Sequence, residues 1–453
     1  MDAITSQLAS FASAFCDKDL SPAILHAAKE RFVDSVGCAL GAYRCPPAVT
    51  GLKFATGAAA PGMEGYILFH DIRTALDTAA FVNSCMIRNL DFNDRYPGGH
   101  PSDCLGALMA LGFARDVPGR DLLRAMAVTY EIFGRLSDGA MLSRRGWDQG
   151  LVVGLSAVGG LCNLLGMTLE QTANAVGMFA STGVPLRVSR AGELSQWKNV
   201  ATSYAVRNAV FLTLLAREGM EGPARAFEGR NGLFENITGA FSIAPFPDNG
   251  GVEMTPLVQL KYWPVETNGQ PVIWAALDLR SKANIEEIES IEVFTNKFTV
   301  YEIASEPPKW DPQTRETADH SLPYMFARAL VDGPLTGETF GLEAVRDPGL
   351  RPLMNLIRVT ADPAIDALPA GQVELRVTAR LRGGETIHVK VGNPLGHPDN
   401  PMREPDISDK FRRLAEPVIG PERAAKALDA LWSVDAAPDM AELRELLNVR
   451  ENG

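Results

Sequence analysis

VELRVTARLRGGETIHVKV, residues 373–391, is the stretch on which the fold turns. Val373, Leu375, Val377, Ala379 and Leu381 alternate with polar residues, the period of a strand with one buried face. Gly383-Gly384 supplies a turn and Ile387, Val389 and Val391 resume the alternation, so the stretch reads as a β-hairpin. Upstream, Ile288, Ile291 and Val293 predict a strand and Met354–Thr360 another, with a helix over Tyr324–Val331 between them. Together these make a small α+β unit.

Outside it the period is helical. Ser21-Pro22 sets a cap before an N1 proline, and Ile24, Leu25, Ala28, Phe32, Val36 and Leu40 follow at helical spacing until Gly41. Helices are predicted over 77–90, 105–115, 122–136, 150–167, 169–179 (opened by a Thr168/Gln171 capping box) and 200–218. They return at 409–414, 421–432 and 440–447. Pro/Gly/Asn-rich segments at 243–256 and 392–405 bracket the α+β unit. The expected fold class is therefore mainly α. An all-helical bundle domain, residues 1–256, is interrupted by an inserted α+β lid domain, 257–401, and completed by 402–453.

At 453 residues the chain exceeds one ordinary core. Its formal net charge of -12 argues against nucleic acid or an anionic membrane as partner, but not against a small anionic substrate, which meets only the cations of its pocket. The start, MDAITSQLASFASAFCDKDL, lacks a basic leader and reads as a cytoplasmic protein, and Leu151–Met167 is too short and Gly-rich to span a bilayer. Six scattered cysteines show no CxxC pairing and read as reduced thiols. Six histidines, none spaced H-x-x-H or H-x-x-x-H, make a metal site an unexpected feature. No Walker loop, G-x-S-x-G or strand-borne G-x-G-x-x-G occurs, and Ser195-x-x-Lys198 lacks the companion motifs of acyl-serine enzymes.

Chemistry is concentrated in Leu90–Gly106, LDFNDRYPGGHPSDCLG. Pro97-Gly98-Gly99 forces a loop that carries Asp91, Asp94, Asp103, Arg95 and His100, and Ser102 or Asp103 is placed to cap the next helix. Proton chemistry and a merely capped, solvated turn are even readings of this loop taken alone. Four other stretches are too polar for their surroundings: Arg144–Gln149, Arg187 through Lys198, Lys261–Pro264, and Asp319–Tyr324 with His320. Cations at a helix start, as at Arg187, Arg190 and Lys198, oppose the dipole unless an anion is present.

In combination, LDFND…HPSDCLGALMALG, WKNVATSYAVRNAVF, LKYWPVETNGQPV, RETADHSLPY and GHPDNPM…KFRRLAEP resemble the signature blocks of the MmgE/PrpD family over nearly the whole chain. The resemblance implies a cofactor-free, homodimeric enzyme with its active site between a helical domain and a lid. It implies catalytic roles for Asp91, His100, Lys198, Lys261 and Tyr324. Three positions depart from the family pattern: Arg95 stands for a threonine, and Gln149 and Asn268 each stand for a histidine. These three, with Arg187 and His320, are the expected substrate-binding residues, and His100 is expected to be oriented by Asp91. The implied function is a lyase on a small di- or tricarboxylate, first of all a 2-methylcitrate dehydratase-like hydro-lyase. An iminodisuccinate-type epimerase or a cis-aconitate-type decarboxylase comes second, and a non-catalytic carboxylate-binding homologue third.

Overall fold

The computed structural model describes residues 1–55, 57, 59–247 and 251–449. Part of the expected 243–256 linker, residues 248–250, lies outside them. The fold is mainly α, with two separate hydrophobic cores. The first runs from Ile4 to Leu260 and is rejoined by Met402–Leu447; the second runs from Trp263 to Val389.

In the first core, Ser21 caps the Pro22–Gly41 helix by accepting from the Ile24 amide. The Leu76–Arg88 and Leu105–Arg115 helices cross at Gly106, where a Cβ would fall 2.2 Å from Ser84 Oγ. The Gly150–Leu164 helix lies against both Gly119–Ala140 and Trp197–Arg217, and the Thr168/Gln171 capping box opens Leu169–Ala180. The tail returns as Glu404–Ile419, whose Phe411 and Leu414 pack on Gly37 and Gly41. Among the described residues no helix is long and apolar enough to cross a membrane.

The first half is not wholly helical. Strands β1 (Glu64–Ile67) and β2 (Ile72–Ala75) form an antiparallel hairpin, too short for alternation to stand out in sequence. The expected cap by Ser102 or Asp103 is also absent: Leu105–Arg115 follows a 3-10 turn at Pro101–Cys104 and has no side-chain cap. Those two side chains are held by Asp94 and Asn93 instead.

The second core is built on one four-stranded sheet in the order β4-β3-β5-β6, with β3 Ile288–Thr295, β4 Ile357–Ala361, β5 Leu375–Leu381 and β6 Thr386–Val391. β5 and β6 are the hairpin expected from residues 373–391, with Val377 opposite Val389 on one side and Val293 on the other. Within this sheet β3 and β4 run parallel, and the β3–β5 and β5–β6 pairs are antiparallel. The Gln270–Lys282 helix packs against the sheet and against Leu322–Asp332.

Candidate active site

A cavity of about 880 Å³ opens between the two cores, and its polar end is organised by Asp91. The Leu76–Arg88 helix stops just before this residue, which takes a left-handed backbone, φ 47°. Aspartate tolerates that region better than most side chains do. The carboxylate is 1 % exposed and three cations from different elements converge on it. Arg88, one turn back, pairs with Oδ1. Lys261, at the entrance to the second core, donates to Oδ1 at 2.9 Å and to the Asp91 carbonyl at 2.8 Å. Lys198, in the first turn of its helix, donates to Oδ2 at 3.0 Å and lies 3.8 Å from Asp319.

Burial alone would raise the Asp91 carboxyl, but Arg88, Lys198 and Lys261 outweigh it and hold it well below the usual carboxylate range. Burial lowers both ammonium groups, against the opposing pull of Asp319 and Asp91 on Lys198 and of Asp91 on Lys261. The helix of Lys198 begins three residues before its apolar pattern predicts. Its two carboxylate partners offset the charge that a helix N-terminus disfavours.

Two imidazoles flank the same carboxylate. His100 Nδ1 lies 2.6 Å from the main-chain carbonyl of Asp94. A carbonyl only accepts, so Nδ1 carries the proton and Nε2 keeps a lone pair, 3.8 Å from Asp91 Oδ1. His100 is thus oriented by the Asp94 backbone and not, as expected, by Asp91. The Asp94 side chain accepts from Ser102 and Tyr130, which fixes the loop, and burial pushes its carboxyl up to about 6. His320 Nδ1 lies 2.5 Å from Asp319 Oδ1, and its Nε2 3.6 Å from Asp91 Oδ2. Burial, then Lys198, lowers His320 to about 4 despite Asp319, and burial with Arg88 and Lys261 holds His100 well below the usual imidazole range. Both rings are therefore neutral at pH 7 and able to accept a proton.

Of the expected binding residues, Arg95, Gln149, Arg187 and His320 line the cavity. Arg187 is paired with Glu302 at 2.7 Å, and neighbouring Arg190 with Asp148. Gly99 approaches Gln149 so closely that a Cβ would fall 1.7 Å from its Oε1. Two expected residues are elsewhere. Asn268 donates to Glu266 and accepts from Thr299, and it is Thr267 and Glu266 that face the cavity. Tyr324 is wholly buried in the second core; its hydroxyl donates to the Thr339 carbonyl at 2.6 Å and its ring packs on Phe340. Tyr324→Phe should leave kcat within about threefold of wild type while lowering stability by about 1 kcal/mol for the lost hydrogen bond. A hundredfold loss of kcat in a folded variant would return Tyr324 to the site.

Sequence reasoning singled out the stretch that begins at Asp319 without giving that residue a role, and it passed over Arg88, Glu266 and Lys309, all at or beside the cavity. Among the described residues, neither Arg95 nor Lys309 has an ion pair, so these two cations remain for an incoming anion. Asp91, Asp319 and His320 are close enough to share a metal ion. Their oxygens, however, already face Arg88, Lys198 and Lys261, a surrounding that repels a divalent cation.

Family models match the chain twice: the MmgE/PrpD N-terminal domain over residues 6–245 and the MmgE/PrpD C-terminal domain over 263–435. A cis-aconitate decarboxylase-like protein, oryM, of Aspergillus oryzae is 25 % identical, covering 98 % of this chain and 97 % of that protein. The 2-methylcitrate dehydratase of Cupriavidus necator is 29 % identical over 85 % and 84 %. That of Escherichia coli K12 is 28 % identical over 84 % and 83 %.

Proposed function

This chain belongs to the MmgE/PrpD family, and on that premise we propose that it is a lyase that removes water from a small di- or tricarboxylate of the 2-methylcitrate type. One observation carries the reading: two neutral imidazoles face one buried carboxylate that is ringed by three cations, in a cleft between two cores. Loss of water beside a carboxylate requires a base for the carbon-bound proton and a donor for the leaving hydroxyl. It also requires fixed positive charge for the enolate-like anion that develops between them. One cation at about 4 Å is worth ~1 kcal/mol in water and ~4 kcal/mol at an effective protein dielectric of about 20, so several must act in a closed site.

His320, held by Asp319, is the base, with His100 beside the other oxygen of the Asp91 carboxylate. The Lys198 and Lys261 ammonium groups steady the anion and supply the proton to the hydroxyl. Arg95 and Lys309 take the carboxylate remote from the reacting carbons. Residues 257–401 act as a lid whose closure over the bundle excludes water. The test is turnover on 2-methylcitrate, citrate, cis-aconitate and iminodisuccinate, followed by NMR in D₂O. Alkene formation from 2-methylcitrate is the expected result. Loss of CO₂ from cis-aconitate alone would favour decarboxylation, the activity named for the relative that spans 98 % of this chain. Inversion with solvent exchange would favour an epimerase, and binding without turnover would overturn the enzymatic reading.

The assembly we propose is a homodimer through the Trp197–Arg217 helix. Trp197, Tyr204 and Phe211 recur every seven residues, each about half exposed, and the first two rings lie 6.1 Å apart. A self-complementary apolar stripe of this kind suits a two-fold interface. Light scattering should give a dimer for the wild type and a monomer for the doubly substituted Tyr204→Glu, Phe211→Glu variant. A dimeric double variant would refute this interface.

A further inference from the structure

Lys410 lies in the Glu404–Ile419 helix, far from the catalytic loop in sequence, and is 1 % exposed. Its ammonium donates three hydrogen bonds: to Asp34 Oδ1 at 2.6 Å, to the Phe92 carbonyl at 2.7 Å and to the Lys261 carbonyl at 2.9 Å. It also sits 3.7 Å from the centroid of the Phe92 ring. These partners are not arbitrary. Phe92 directly follows Asp91, and Lys261 is the residue whose own ammonium grips both the Asp91 carboxylate and the Asp91 carbonyl. Asp34 anchors the arrangement to the Pro22–Gly41 helix, on which the tail helix packs.

We propose that Lys410 is a positioning residue that sets the spacing between Asp91 and Lys261 by holding the backbone of both at once. It touches neither substrate nor a reacting atom. An ammonium has three protons and no acceptor, and here each proton is committed: one to a charged anchor, two to main-chain oxygens on the two sides of the cleft. The Lys261 carbonyl belongs to the segment that leads into the second core, and the Phe92 carbonyl to the loop of the first. A small misplacement of paired catalytic groups costs rate out of proportion to its size. The tail, on this account, is part of the active-site scaffold as well as of the bundle core.

This inference rests on the lyase reading for its kinetic test, and a structural readout separates the two. Lys410→Met keeps the stem and removes all three bonds, whereas Asp34→Asn breaks the same ion pair but leaves both carbonyls held. Both variants should lose thermal stability. On the acid that the wild type turns over best, Lys410→Met should lose about 100-fold in kcat, the scale of a misplaced constellation, with KM changed by less than about threefold, and Asp34→Asn should keep kcat within about threefold. Equal losses of kcat in the two variants, or none in Lys410→Met, would overturn the proposal by reducing Lys410 to a stabilising ion pair. Where Lys410→Met does not fold, Lys410→Gln, whose amide can reach one carbonyl but not both, takes its place with the same criteria. A crystal structure of the variant should show Lys261 Nζ beyond hydrogen-bond reach of Asp91 Oδ1. An unchanged distance overturns the proposal even if the wild type is inactive on every acid, an outcome that would sink the lyase reading alone.

Discussion

Asp91→Asn should abolish turnover, with kcat down about 10³-fold or more, and should cost about 3–5 kcal/mol of stability. Asparagine accepts the left-handed backbone at φ 47° as readily as aspartate does, so the substitution removes charge without adding strain. What remains is a pocket in which Arg88, Lys198 and Lys261 face one another with no carboxylate between them. Their mutual repulsion, in a site where Arg88 and both lysines are almost wholly buried, lowers the ammonium groups further toward the neutral form. The anion-steadying charge then fails even in a folded protein. Asp91→Ala adds backbone strain at the same position and should be less stable again by about 1 kcal/mol. Urea titrations beside kcat measurements decide the matter. A folded Asp91→Asn with a rate within tenfold of wild type would mean that Asp91 is a structural counter-ion and nothing more.

The amino-acid sequence carried the architecture further than it carried the site, for a physical reason. Long periodic stretches such as Pro22–Gly41 and the 373–391 hairpin announce themselves, because burial of one face selects every second or every third-to-fourth residue. The four-residue strands β1 and β2 offer too few positions for a period to be seen. The loop residues Asp91 and His100 stood out by type, and the resemblance to a family pointed to Lys198 and Lys261. Arg88 went unseen because an arginine in the last turn of a helix is the ordinary complement to its dipole; only the buried contact with Asp91 distinguishes it. Tyr324 and His320 exchanged importance. Pro323 sits in the first turn of the Leu322–Asp332 helix, and in that phase Tyr324 faces the second core while His320, still in the turn before it, is left at the cleft.

Protonation pressure on His320 should cost the protein stability well before its ordinary carboxylates titrate. His320 is held at about 4 in the fold, against about 6.5 in an unfolded chain. As pH falls through 6.5 the unfolded state takes up this proton and the native state does not, so stability present above that pH is lost progressively down to about 4. For His320 alone the loss amounts to about 3 kcal/mol, and His100, displaced in the same direction, adds to it. Asp94, held up at about 6, takes up its proton in the fold over the same range and acts in the opposite sense. The readout is therefore a difference: between pH 6.5 and 4.5 the urea midpoint of the wild type should fall relative to that of His320→Gln. The same substitution should lower kcat by about 10²–10⁴-fold, the usual worth of a positioned base. In the wild type, kcat/KM should hold from pH 7 to about 5 and fall only as the base protonates near 4. Asp319→Asn removes the carboxylate charge and offers an amide that can donate as well as accept, so the His320 tautomer is no longer fixed and kcat should fall in that variant too. An unaltered acid profile of stability in His320→Gln would mean that the ring is not the buried neutral group on which this account depends. A kcat within threefold of wild type would pass the role of base to His100.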